Sequence, residues 1–131
     1  MTPAPQPLER AEEEIAAARA LLAAGFPTQA LARAGEAGVQ AARGALLAVG
    51  EAPPTAAGAV AAFVRRVIVQ GGIDPEHGAA LRRLFDDRLE VERALAPAPP
   101  HIAETAIADA ARLVAAADAW AAARRPRLSA R

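Results

Sequence analysis

The chain has 131 residues with a formal net charge of +0 and no cysteine, so it holds one domain with a real core and no disulfide framework or thiolate metal site. Balanced charge removes any global electrostatic argument for nucleic acid or for an anionic membrane as partner. Hydrophobic residues make up 53% of the sequence but aromatics only 3%, so alanine carries most of the apolar count and closely spaced helices are expected rather than a thick core.

Residues 1–7 contain three prolines and read as a disordered arm. They lack the basic region and apolar run of a secretion signal, so a cytoplasmic protein is expected. The single domain is expected over 8–123. Its first helix spans about 8–24, where Leu8, Ala11, Ile15, Ala18 and Leu22 form one stripe. Glu12, Glu13 and Glu14 lie in its early turns, where the helix dipole favours anions. Gly25 reads as a left-handed cap. Pro27 starts a second helix running to about Val49, with Gly50 as its stop, and the tight turn between the two predicts an antiparallel hairpin.

The second helix shows two faces. Leu31, Gly35, Gly38, Ala42, Leu46 and Val49 form a smooth side against which a neighbouring helix can come close. Arg33, Glu36, Gln40 and Arg43 form a polar stripe at the same spacing, read either as a solvated face or as one wall of a cleft.

Glu51 and the Pro53-Pro54 pair break the nearly uncharged run between Gly44 and Val64, so two short helices are expected there and no membrane span. Thr55 is placed to cap a third helix over about 56–70. Val64, Val67, Ile68 and Val69 favour strand by propensity, but the flanking alanines and the glycines that follow favour helix, and a lone strand would have nothing to pair with. Asp74 and Pro75 are the N-cap and first position of a fourth helix running to about Leu95. Leu81, Leu84 and Phe85 mark its apolar side, and helical steps from them reach Arg88 and Glu92. The rest of the chain is expected to pack around this helix. A Pro-rich break precedes a fifth helix over about 102–123, with Ile102, Ala106, Leu113, Ala117 and Trp120 along one side. Residues 124–131 form a basic tail. Five helices with short connections predict an all-α, up-and-down bundle.

His77 and His101 lie on different segments and outside the spacing of a helical metal site, so neither a metal nor a cofactor is expected. Ser129 falls in the tail, and Thr28 and Thr55 read as caps, which leaves no catalytic nucleophile. Arg88 and Glu92, at i and i+4, have two readings. One is an ion pair that fixes helix register. The other is an arginine that offers its planar fork to a phosphate or carboxylate.

The order of motifs resembles the HEPN family (higher eukaryotes and prokaryotes nucleotide-binding), specifically its small stand-alone bacterial branch. The resemblance rests on GFPTQALARAGEAGVQAARGALL, on the Thr55-x-x-Gly58 turn, on VIVQGGIDPEHGAALRRLF, and on Arg88 after that segment. It covers about three quarters of the chain in one unbroken order, from Gly25 to Trp120. It implies a HEPN-like five-helix bundle that commonly forms homodimers. It also implies a toxin–antitoxin or defence setting, in which active members are RNases and a nucleotidyltransferase-type antitoxin is the usual protein partner.

Family RNases place a histidine after the arginine with four to six residues between them, and none follows Arg88 in that window. The tyrosine pair of this branch is replaced by Gly35 and Glu36. Its histidine is replaced by Gln40, the histidine after the threonine by Ala56, and the tyrosine after the retained acid by Arg93. Each lost group could transfer a proton or stack on a base. The resemblance therefore implies a dimeric, HEPN-like binding module without nuclease activity, for which RNA or a nucleotide as ligand draws no support from net charge. An atypical metal-independent RNase using Arg88 and Glu92 at a dimer cleft is the alternative. The candidate cleft residues are Arg88, Glu92, Arg33, Glu36, Gln40 and Arg43.

Overall fold

Small residues decide which helix sits in the middle. The computed structural model describes residues 6–93 and 97–124. Its elements are α1 (Gln6–Ala23), α2 (Pro27–Leu47), α3 (Ala56–Phe63) continued by a π-helical stretch (Val64–Val69), α4 (Pro75–Arg93) and α5 (Pro100–Arg124). No strand occurs among the described residues, and the expected five-helix, all-α bundle is what forms. The helix that the others surround is α2, not α4. Ala30, Ala34, Ala37, Ala41, Ala42 and Ala45 are all buried, together with Gly35, Gly38 and Gly44, so α2 can be enclosed on several sides without large side chains. Helix α4 buries only Gly78, Ala80, Leu81 and Leu84 and forms one outer wall.

Local chemistry sets the ends of each helix. Gly25 has φ 90°, its N–H donates to Leu22 O at 3.1 Å, and Phe26 N–H donates to Leu21 O at 2.8 Å. This paired pattern satisfies the last carbonyls of α1 and turns the chain into α2. The same pattern closes α2, with Gly50 at φ 80° and Glu51 N–H on Leu46 O at 3.0 Å. Thr55 Oγ1 accepts from Gly58 N at 2.9 Å to cap α3, and Asp74 Oδ1 accepts from Glu76 N at 2.9 Å to cap α4. Both caps fall where the sequence places them.

Two boundaries differ from expectation. Helix α1 begins at Gln6, so Gln6 and Pro7 of the expected arm are helical. Arg124 of the expected tail is the last residue of α5. Residues 1–5, the chain over 94–96 and the tail over 125–131 lie outside the described residues. The β-branched run keeps a helical path, as expected, but its wider π turn departs from an α-helix.

Helix α4 lies antiparallel to α2. A Cβ on Gly35 would come within 2.7 Å of Arg88 Cβ and 2.9 Å of Leu84 O, and one on Gly38 within 3.0 Å of Leu84 Cδ1. The smooth face of α2 is thus consumed inside the monomer. At the start of α5, Ala98 N–H donates to Thr28 Oγ1 at 2.9 Å and ties it to the beginning of α2. At its other end, Trp120 is buried against the loop after the π stretch: Gly72, at φ 129°, leaves room for the indole where a Cβ would overlap Nε1. The Arg124 guanidinium covers the ring at 3.7 Å from its centroid.

Candidate functional site

The close approach at Gly35 brings the two halves of the candidate cleft together. Arg88 sits directly across from Gly35, so its side chain leaves α4 beside the next residue of α2, Glu36. Arg88 Nε lies 3.2 Å from Glu36 Oε1. Gln40, one turn along α2 and almost fully buried, donates from Nε2 to the other Glu36 oxygen at 2.8 Å. Glu92 follows one turn after Arg88 on α4, with its Oε2 3.9 Å from Arg88 Nη2. The expected i, i+4 pair is therefore present but loose, and the shorter contact comes from a different helix. Arg88 and Glu36 side chains keep 23% and 26% of their exposure, so the pair lies at the edge of the core.

Two of the six candidates share no ion pair or hydrogen bond with this cluster among the described residues. Arg33 turns toward α1, where its Nη1 donates to the buried carboxylate of Glu14 at 3.0 Å. Arg43 is half-buried, and its Nε has no hydrogen-bond partner among the described residues. The polar stripe of α2 is not a fully solvated face: Arg33 meets α1, while Glu36 meets α4 and is held by Gln40, because α2 is enclosed on both sides.

The chemistry of the cluster follows from which edge of Arg88 is used. Nε and Nη2 form the side-on fork with which a guanidinium grips both oxygens of a carboxylate or phosphate. Here Glu36 meets the first nitrogen and Glu92 approaches the second. With one cation and two carboxylates, the formal charge of the trio is negative, and a phosphate that used the Nε edge would have to displace a side chain that Gln40 also holds. His77 lies eleven positions before Arg88 on the same helix, about 16 Å away along its axis. Among the described residues, no group of histidine and acidic side chains is arranged to hold a metal ion, and no helix is long and apolar enough to cross a membrane.

Sequence reasoning named Glu36, Gln40, Arg88 and Glu92 but missed that Glu36 and Arg88 are partners. The usable signal was the Gly35/Gly38 pair, which marks where α4 docks and so which α2 side chains it meets. Close to the cluster, Asp87 is half-buried. Burial, then Asp86, raise its carboxyl above the ordinary carboxylate range, with smaller contributions from Asp109 and Glu90, while Arg83 opposes them.

Fold and site together define an all-α bundle in which a single arginine, Arg88, is paired with a carboxylate of its own chain. Comparison with known proteins finds no family model that matches the chain and no curated protein similar to it.

Proposed function

We propose that the chain is a HEPN-like helical interaction module that acts by binding, as a homodimer or with a protein partner such as a nucleotidyltransferase-type antitoxin, and without cleaving RNA. The observation that carries this reading is the pairing of Arg88 with Glu36 across α2 and α4. Glu36 takes its Nε, Gln40 holds Glu36, and Glu92 lies loosely beside Nη2. An arginine that served a phosphoryl transition state would present its donors to the place where charge develops. This one presents them to carboxylates of its own chain. RNA cleavage also requires proton transfer to and from oxygen, which the groups around Arg88 would have to supply while engaged in pairing it.

The test is incubation of the purified chain with end-labelled RNA beside Arg88→Ala. The expected result is no cleavage above background by either protein. Cleavage by the wild type that disappears in Arg88→Ala would overturn the proposal and establish the RNase alternative, with Glu92→Gln as the next variant to assay.

A further inference from the structure

We infer that Arg43 anchors a binding site for a single oxyanion group, a phosphate or a carboxylate, which the chain itself does not supply. Three arginines are half-buried among the described residues, Arg43, Arg66 and Arg88, and the others are exposed. Arg66 is paired with Glu51, and Arg88 with Glu36. Arg43 forms no ion pair with a carboxylate among the described residues, and its Nε is buried without an acceptor. Withdrawing a guanidinium partly from water costs free energy when no counter-charge meets it. Buried donors in folded proteins are nearly always paired, and an exception calls for a physical account.

The neighbours of Arg43 on α2 fix where its guanidinium lies. One turn away along the helix stand Val39, Gln40, Leu46 and Leu47. The first three are buried, and Leu47 is 44% exposed. The aliphatic stem is therefore held beside buried groups, and Nε is covered with it. Neither terminal nitrogen is buried without a partner in this way, so the far edge of the guanidinium faces outward. Its parallel N–H groups match the two oxygens of a carboxylate or phosphate. A stem that is already fixed lowers the ordering cost of such a contact. Arg88 differs, because Glu36 already takes its Nε.

The surrounding charges set the size of the ligand. No carboxylate stands one turn from Arg43 on α2. Glu36, two turns before it and about 10 Å away along the axis, is engaged by Arg88 and Gln40. Glu51, eight positions after it, is engaged by Arg66. A nucleic acid strand would need several unpaired cations in a row to meet its successive phosphates. Here one unpaired cation follows a formally negative trio, an arrangement that suits one compact oxyanion.

The experiment titrates the full chain with phosphate, acetate and chloride at matched ionic strength, in a buffer otherwise free of oxyanions. It reads the arginine Nε–H resonances by nitrogen-edited NMR, with the Arg43 signal assigned by its loss in Arg43→Met. That signal is expected to shift saturably with phosphate or acetate and not with chloride. Saturation by phosphate alone, by acetate alone or by both supports the site and names the group it takes. Thermal midpoints measured in the same titrations give the apparent affinity of each variant. The oxyanion should bind Arg43→Met at least about tenfold more weakly, and Arg43→Lys, which keeps the charge without the fork, should fall between. Without oxyanion, Arg43→Met should unfold at or above the wild-type temperature, because it removes an uncompensated charge, whereas Arg88→Met should unfold below it. The inference is overturned if no anion gives saturation, if chloride acts as well as the oxyanions, or if Arg43→Met keeps the full midpoint gain. An Arg43→Met midpoint as low as that of Arg88→Met would reveal a partner within the chain and overturn it too. None of these results bears on the RNA assay, whose outcome alone decides the absence of nuclease activity.

Discussion

Replacing Glu36 and Arg88, singly and together, tests whether the guanidinium is spent on the internal pair. Glu36→Gln removes the carboxylate 3.2 Å from Arg88 Nε while keeping side-chain volume, and leaves Arg88 with Glu92 at 3.9 Å. Arg88→Met removes the cation and keeps much of the aliphatic stem. Exposed ion pairs couple by about 0.2–1 kcal/mol, whereas removing one partner of a fully buried pair costs about 3–5 kcal/mol. This pair retains roughly a quarter of its exposure, so each single change should cost about 1–2 kcal/mol, between those limits. The double variant should lose less than the sum of the two, with a coupling energy near 1 kcal/mol. The assay is urea unfolding followed by far-UV circular dichroism for the wild type, the two single variants and the double variant, with the slope checked for constancy. Fully additive losses would mean that Glu36 and Arg88 do not sense one another, and the account of Arg88 as paired from within the chain would fail with them.

Gly35→Ala should destabilise the protein although alanine is the better helix former. The added Cβ meets Arg88 Cβ at 2.7 Å and the Leu84 carbonyl at 2.9 Å. The gain of about 1 kcal/mol in helix propensity is therefore set against an overpacking cost of about 1–3 kcal/mol. The thermal midpoint should fall by several degrees, and a rise would show that α4 can move aside freely. Asp87→Asn should stabilise the protein at neutral pH. The folded-state carboxyl is raised by burial and by Asp86, so the folded state binds protons more readily than the unfolded chain. The cost of ionised Asp87 is fully present above its folded pKa, and it fades as pH falls through that value toward the ordinary 3.8. Midpoints for wild type and Asp87→Asn should accordingly converge in acid, and a constant gap across that range would refute the assignment.

The helix ends were legible in the sequence because they depend on neighbours a few positions away. Gly25, Gly50, Thr55 and Asp74 each act through a bond to a residue no more than five places distant. The helical path of Val64–Val69 was legible from the lack of a strand partner, but its π turn was not, because nothing in VRRVIV marks the extra width. What periodicity could not rank was the helices themselves. The mixed apolar and charged face of 75–93 suggested the centre, but an alanine-rich helix can be enclosed on every side without looking more hydrophobic than its neighbours. That error also misassigned the polar stripe. Arg33 finds Glu14 and Glu36 finds Arg88, and each partnership depends on which helix lies on which side of α2. The same packing withdraws the Gly35/Gly38 face from service as an outward surface, since Leu84 and Arg88 already fill it.

Trp120 is the chain's single tryptophan, and there is no tyrosine. Nearly all its near-ultraviolet signal therefore comes from one locus, the joint between the last turns of α5 and the Gly71-Gly72 loop. With Arg124 over its ring and its Nε1 against Gly72, the indole should change emission as soon as that joint opens, whatever the other helices are doing. Circular dichroism reports all the helices at once. An emission change that precedes the loss of ellipticity would time the parting of α5 from the loop separately from the collapse of the bundle, without any label being attached.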